Sequence, residues 1–144
     1  MTTSKNIKEL GDRIYVSGTF DLLHSGHIEL FKYAKTLGTV IVSLNTDEFA
    51  TAYKRKPTMP LTQRIVVIGT NKYVDEVVIN TGDKDSKPAI LKAQATHILH
   101  GDDWMGDSLM EQMGLTEEWL KEHDIKLIYK PYTQGISTTK LLNL

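Results

Sequence analysis

The sequence predicts an α/β fold in which a doubly wound parallel sheet of about five strands carries helices on both faces. Short apolar, β-branched segments alternate along the chain with segments of helical spacing, and right-handed crossovers join such units into a parallel sheet. The chain has 144 residues, 40% of them hydrophobic, which suits one domain with its own core. We therefore expect a single domain over residues 1–144, with residues 1–12 as an N-terminal extension.

The first predicted unit is a strand, a turn and a helix. Ile14–Val16 is a short apolar run before Gly18. Apolar residues then recur at helical spacing over residues 28–37, and Gly38 ends that helix. Thr39–Leu44 is β-branched and almost continuously apolar, as expected of a strand buried on both faces of a parallel sheet.

The rest of the chain repeats this alternation. Asn45–Asp47 is a favourable helix start, and Leu61–Thr70 is predicted as a helix opened by Pro60. The later segments are predicted, in order, as strand Val77–Ile79, helix Lys87–Ala95, strand His97–His100, helix Thr116–His123, strand Lys126–Tyr129 and a final helix from Ser137 to Leu142. Together they give a Rossmann-like arrangement.

Composition excludes several classes of function. The 17 Lys and Arg residues nearly balance the 18 Asp and Glu residues, so no global field attracts nucleic acid or a membrane surface. With no cysteine, the chain has neither disulfides nor a thiolate metal site nor a cysteine nucleophile. No signal peptide and no bilayer-length apolar run are evident. We expect a cytoplasmic protein.

Residues Gly18–His27 (Gly-Thr-Phe-Asp-Leu-Leu-His-Ser-Gly-His) carry the most information. They set His24 and His27 where a strand gives way to a helix, which is where α/β proteins hold phosphate groups. The alternatives are ordinary capping or a zinc pair. A zinc pair needs further ligands, and Asp21 is the only obvious one nearby.

Residues Gly18–His27 resemble the signature of the cytidylyltransferase group of nucleotidyltransferases. Gly101–Trp104 and Gly135–Thr139 agree with it in order and spacing, as in bacterial glycerol-3-phosphate cytidylyltransferases. Lys72–Val77 is similar to the stretch that those enzymes place at their dimer contact, which implies a homodimer. The resemblance covers roughly residues 13–142.

The resemblance implies attack by a phosphate oxygen of an acceptor on the α-phosphorus of a nucleoside triphosphate, with release of pyrophosphate. The acceptor phosphate is already anionic, so alignment and charge neutralisation suffice, without a general base or a covalent nucleophile. The expected cofactor is Mg²⁺ brought with the triphosphate, and no protein side chain is assigned to metal.

The resemblance also implies which residues are catalytic. These are His24, His27, Lys54 and Arg64. The number of residues between Lys54 and Arg64 matches the lysine-to-arginine spacing of the choline-phosphate relatives. Alignment with the shorter glycerol-phosphate enzymes favours Arg55 in place of Lys54. A solvated basic loop is the alternative for this region.

The remaining implied site residues fall into two sets. The nucleotide-binding residues are Thr19, Phe20, Ser25, Gly26, Gly101, Asp103, Tyr132, Gly135, Ile136, Ser137, Thr138 and Thr139. The substrate-binding residues are Asp21, Arg55, Trp104 and Lys87. Phe20 and Trp104 could instead be core residues, and Ser137–Thr139 could be only a helix N-cap.

Three departures bear on substrate choice. Tyr132 stands where the glycerol-phosphate enzymes have an arginine, so a cationic contact is replaced by a phenol. Met105–Leu120 forms a Met-rich flap or helix near the expected acceptor pocket. Pro60–Arg64 is closer to the corresponding stretch of sugar-phosphate adenylyltransferases.

These observations lead to ranked hypotheses. The first is a cytidylyltransferase that acts on CTP and a small phosphomonoester such as glycerol 3-phosphate, without nucleic-acid or membrane partners. The alternative is an adenylyltransferase that uses ATP and a sugar phosphate. A non-catalytic nucleotide-binding regulator is the rival of another class, whereas a flavodoxin-like signalling domain gives no reason for His24 and His27.

Overall fold

A computed structural model describes residues 11–21, 23–53, 56–81, 85–101, 110 and 113–130. The strands are β1 (Arg13–Gly18), β2 (Thr39–Asn45), β3 (Glu76–Asn80), β4 (His97–Gly101) and β5 (Lys126–Lys130). The helices are α1 (Ser25–Leu37), α2 (Asp47–Tyr53), α3 (Leu61–Gly69), α4 (Lys87–Lys92) and α5 (Glu117–Glu122). Each predicted strand is present and slightly longer than the sequence pattern indicated. Most of the predicted N-terminal extension and the predicted final helix lie outside the described residues.

The five strands form one parallel sheet with the order β3-β2-β1-β4-β5. From β1 the chain winds outward through β2 to β3, then returns to place β4 on the other side of β1. The carboxyl ends of β1 and β4 therefore flank the point where the winding reverses, which is where open α/β sheets bind ligands. The predicted doubly wound fold is confirmed.

Alternation along the strands produces two apolar layers. Ile14 and Val16 of β1 pack with Phe31 of α1 and Ile68 of α3 on one face of the sheet. Tyr15, between them, faces the opposite layer, whose other members include the α4 residues Ala89 and Ile90 and the α5 residue Leu120. Both faces are thus covered by helices, and burial of these side chains is the main source of stability.

Part of the Met-rich stretch belongs to this core. Met113 is buried and Met110 packs against the same layer, whereas residues 105–109 lie outside the described residues. The two described methionines therefore fill space in this apolar layer, and the Met-rich flap or helix near an acceptor pocket stays a prediction.

The stretch predicted to form a dimer contact, Lys72–Val77, is engaged within the chain. The Asp75 carboxylate accepts bonds from Lys35 Nζ and from the N–H of Val40, both at 2.8 Å. Glu76 pairs with Arg13 at 2.9 Å, and Val77 packs in the core. These contacts give the charged residues Asp75 and Glu76 a structural role within one chain, because they join the start of β3 to α1, β2 and β1.

Gly38 occupies a position that tolerates no side chain. A Cβ there would lie 2.3 Å from the carbonyl oxygen of Asp12, which also accepts the N–H of Thr39. We expect Gly38→Ala to lower the free energy of unfolding by about 2 kcal/mol through overpacking against the backbone. Gly69→Ala is the control, because its Cβ would meet only Val77 at 3.9 Å. Equal urea midpoints for the two variants would contradict the expectation.

Among the described residues, no helix combines the length and the apolar character needed to cross a membrane.

Candidate active site

The β1–α1 turn, residues 19–24, leaves the sheet at the reversal point. Phe20 adopts a positive φ of 51°, and its ring is buried against Phe31 and the edge of His27, with centroids 5.2 Å away in both cases. The ring lies so close to Gly18 that a Cβ there would be 3.0 Å from it. Phe20 is therefore a core side chain, and only its backbone can contribute to binding.

The two histidines form the N-cap of α1. His24 Nδ1 accepts the N–H of Gly26 at 3.0 Å, and His27 Nδ1 accepts the N–H of His24 at 3.3 Å. This reciprocal pair is a capping box built from imidazoles. The capping role anticipated for the histidines is thus present, and it fixes where each ring points.

The cap also fixes the protonation of both rings. A nitrogen that accepts a hydrogen bond carries no proton, so the proton of each neutral imidazole is on Nε2. Neither cap bond uses Nε2. The rings stack with centroids 3.9 Å apart, so the turn offers two adjacent N–H donors at the positive end of the α1 dipole.

Burial keeps both rings neutral. It lowers the pKa of His24 below its usual value. It lowers the pKa of His27 to about 4, with a smaller contribution from the neighbouring His24. At neutral pH the turn therefore presents neutral donors, and its attraction for anions comes from directed N–H groups rather than from a net charge.

The His27 pKa predicts how stability depends on pH. The folded value of about 4 lies below the usual 6.5, so the unfolded chain takes up the proton first. The contribution of the neutral His27 ring to the free energy of unfolding is complete above pH 6.5. It is lost as the pH falls toward 4, by up to about 3 kcal/mol. His27→Gln keeps a capping acceptor without a titrating group and should flatten this part of the urea-unfolding profile. A His27 ring that titrates near 6.5 by NMR contradicts the assignment.

Arg64 is enclosed by other parts of the protein. The residue is 0% exposed, and its guanidinium donates to the carbonyls of Met59, Thr19 and Asn45 at 2.8 to 3.0 Å. A fourth bond, of 2.5 Å, reaches Asp47. The guanidinium is thus enclosed by protein carbonyls and Asp47 in this structure, and the catalytic role of Arg64 stays a prediction.

Asp21 is also engaged by the protein. It is 8% exposed, and its two carboxylate oxygens accept the N–H groups of Thr58 and Met59, each at 2.7 Å. The substrate-binding role of Asp21 stays a prediction. In the part of the chain that the structure describes, no group of three His, Asp or Glu side chains could hold a metal ion.

The structure describes some of the other predicted site residues. Thr19 Oγ1 accepts a bond from Asn45 Nδ2 at 3.2 Å, and Ser25 and Gly26 form the first turn of α1. Lys87 donates to the carbonyl of Gly114 at 2.7 Å and to Asp85 at 3.2 Å. Gly101 ends β4. Lys54, Arg55, Asp103, Trp104, Tyr132, Gly135, Ile136, Ser137, Thr138 and Thr139 lie outside the described residues.

Sequence reasoning missed Asn45 and Asp47 as members of this region. Asn45–Asp47 indicated only a helix start. The available signal was position: polar residues directly after the carboxyl end of β2, the strand beside β1, must lie near the β1–α1 turn.

Comparisons with known proteins agree with this geometry. The model of the cytidylyltransferase-like family matches residues 15–143. Glycerol-3-phosphate cytidylyltransferase of Bacillus subtilis is 35% identical over 130 residues, which cover 90% of this chain and 93% of the relative. FAD synthase of Korarchaeum cryptofilum is 34% identical over 82% of this chain and 76% of its own length.

A solved structure supports the fold alone. The lipopolysaccharide core biosynthesis protein of Thermoplasma volcanium superposes with a TM-score of 0.67 at 24% identity, over 85% of this chain and 98% of that one.

Proposed function

The chain belongs to the cytidylyltransferase-like family of nucleotidyltransferases, and on that premise we propose that it transfers a cytidylyl group from CTP to a small phosphomonoester and releases pyrophosphate. Glycerol 3-phosphate or a related alcohol phosphate is the proposed acceptor. The observation that carries this proposal is the imidazole capping box, in which both Nδ1 atoms accept backbone N–H groups and the Nε2–H of each ring takes no part in the cap.

The proposed chemistry needs little beyond alignment and charge stabilisation. An acceptor phosphate is anionic at neutral pH, so its oxygen attacks the α-phosphorus without a base to remove a proton. Negative charge then accumulates on the pyrophosphate that leaves. The Nε2–H donors of His24 and His27, together with the positive end of the α1 dipole, stabilise that charge without reorganising.

We propose that Mg²⁺ enters with the triphosphate. The described carboxylates nearest the turn do not make a metal cage, because Asp21 is engaged by Thr58 and Met59 and Asp47 by Arg64. Mg²⁺ commonly keeps several waters and takes its other ligands from substrate phosphates. The ion would offset triphosphate charge, and we assign no side chain to it.

CTP is favoured over ATP by how much of each relative aligns with this chain. The relative named glycerol-3-phosphate cytidylyltransferase and this chain cover each other almost completely, at 93% and 90%. The alternative, ATP with a sugar phosphate or another phosphomonoester, draws on Pro60–Arg64 and on the relative named FAD synthase, whose product contains an adenylyl group.

Pyrophosphate release with each of the four common ribonucleoside triphosphates, across a panel of phosphomonoesters, tests the proposal. We expect CTP with a polyol phosphate to give the highest kcat/KM. ATP as the sole active donor would replace the first proposal with its alternative. Binding of CTP without turnover, on any acceptor, would indicate the non-catalytic regulator.

We also propose that the protein is a homodimer through the β3 edge. Val66 and Val67 of α3 are 62% and 38% exposed, and Ile79 of the outer strand β3 is 36% exposed. They belong to α3 and β3, the elements that precede and follow Lys72–Val77 along the chain, and exposed apolar side chains at a sheet edge are suited to a second copy of the chain.

Sedimentation equilibrium tests the dimer. We expect twice the chain mass of 16.3 kDa for the wild type and the monomer mass for Val66→Lys. Leu91→Lys is the control, because Leu91 is 48% exposed on the opposite helix layer and should leave the dimer intact. A monomeric wild type overturns this part of the proposal.

A further inference from the structure

Asn45 and Thr19 are neighbours at the edge of the sheet where the candidate site lies. Gly18 of β1 pairs with Leu44 of β2 in the parallel register, so the next residues along, Thr19 and Asn45, lie side by side where the two strands end. Both are only partly buried. Thr19 opens the β1–α1 turn, which leads to the two capping histidines.

One guanidinium fixes the backbones of both residues. Arg64 Nη1 donates to the carbonyl of Thr19 at 2.9 Å and to the carbonyl of Asn45 at 2.8 Å. Because Arg64 is fully buried, these bonds are shielded from water and hold the two peptide groups together. The side chains of Thr19 and Asn45 therefore start from fixed backbone positions.

The bond between the two side chains has a definite direction. Asn45 Nδ2 donates to Thr19 Oγ1 at 3.2 Å. An amide NH2 group can only donate, so the Thr19 oxygen accepts here and its own hydrogen must point elsewhere. In the described part of the chain, no protein group accepts that hydrogen. Since Thr19 is only partly buried, the hydrogen is available to a ligand.

The ligand atom that suits this hydrogen is an oxygen that only accepts, such as an oxygen of an ionised phosphate. We propose that Asn45 is a positioning residue, which directs the Thr19 hydroxyl hydrogen toward a phosphate oxygen of the bound triphosphate. The inference rests on the proposed function. A hydroxyl that is oriented before the ligand arrives does not have to turn when charge develops, which is the condition for effective stabilisation.

Replacing Asn45 with aspartate tests the direction of the bond. Asn45→Asp keeps the shape of the side chain, but a carboxylate only accepts, so the Thr19 hydroxyl must turn its hydrogen toward residue 45. The two strands stay joined, whereas the donor to phosphate is lost. We expect a melting temperature within about 3 °C of the wild type. We expect kcat/KM for CTP to fall by about 10- to 100-fold.

Thr46→Asp is the control for the added charge. The Thr46 hydroxyl accepts the N–H of Phe49 at 3.1 Å, at the start of α2, and aspartate is also a favourable N-cap residue. This variant adds a carboxylate at the same edge of the sheet, and we expect kcat/KM to fall by less than about 3-fold. A loss as large as that of Asn45→Asp would assign the effect to charge and overturn the inference.

A double-mutant cycle tests whether Asn45 acts through the hydroxyl. Thr19→Val removes the hydroxyl at nearly the same volume and should itself lower kcat/KM by about 10- to 100-fold. In the Thr19→Val background, Asn45→Asp should cost no more than Thr46→Asp does. Losses that multiply in the combined variant overturn the inference.

Affinity for CTP, measured by isothermal titration calorimetry without an acceptor, gives a readout besides turnover. We expect the Kd to rise about 10-fold in Asn45→Asp and in Thr19→Val, and to stay within about 3-fold of the wild type in Thr46→Asp. A wild-type Kd in Asn45→Asp overturns the inference.

The same titrations separate this inference from the proposed function. If the wild type binds CTP but releases no pyrophosphate with any acceptor, the proposed reaction fails, and the affinities of the variants then support or overturn the role of Asn45 by themselves. A wild type that binds neither CTP nor ATP overturns both.

Discussion

Replacing His24 with alanine is expected to lower kcat by about 100- to 1000-fold while the protein stays folded. The variant loses one Nε2–H donor directly. It also loses the Nδ1 acceptor for the N–H of Gly26, so only the half of the capping box in which His27 Nδ1 accepts the N–H of residue 24 remains. The expected cost in stability is only about 1 kcal/mol, typical of a lost N-cap.

His24→Asn separates the two functions of the side chain. Asparagine is a favourable N-cap residue and can accept the bond from Gly26, but it cannot place a donor where the imidazole Nε2 lies. We expect the melting temperature of His24→Asn to approach that of the wild type while turnover stays as low as in His24→Ala. Activity close to the wild type in either variant contradicts the phosphate-binding role of His24.

Arg64→Met is expected to give the largest loss of stability, about 3 to 5 kcal/mol. The substitution keeps much of the buried volume but removes the donors to three carbonyls, those of Met59, Thr19 and Asn45. These acceptors would be left without their partner in the interior. Because the Asp47 side chain is 41% exposed, water can partly replace Arg64 there, and most of the cost comes from the carbonyls.

Lys35→Met is the control for Arg64→Met. It also removes a cation paired with a carboxylate, but the side chains of Lys35 and Asp75 are 45% and 34% exposed, so the expected loss is less than about 1 kcal/mol. Urea unfolding measures both variants. If Arg64→Met were as stable as Lys35→Met, the buried guanidinium would not be holding the turn together.

The strands could be predicted because their signal is local. Thr39–Leu44 is apolar and β-branched throughout, and the structure places it as β2 between two neighbours. The position of the two histidines followed from the same reasoning, since they lie directly after the first strand. Their tautomer did not, because it depends on which nitrogen the backbone N–H groups of α1 reach.

The role of Arg64 could not be predicted from its neighbours in sequence. Two of the carbonyls that enclose it belong to Thr19 and Asn45, which lie 45 and 19 positions before it in the chain. A sequence pattern gives no indication of where such distant carbonyls converge. Lys72–Val77 shows the same limit. The resemblance of this stretch to a dimer contact of the family gave no indication that Asp75 bonds Lys35, 40 residues away in the same chain.

The most direct test of the proposed reaction is to follow the phosphorus atoms of CTP. With glycerol 3-phosphate as acceptor, label in the α-phosphate of CTP should appear in a new nucleotide-linked product, and label in the γ-phosphate should appear only in pyrophosphate. Both results are expected from attack at the α-phosphorus. Transfer of the γ-label to the acceptor, or retention of both labels in CTP with every acceptor tried, would contradict it.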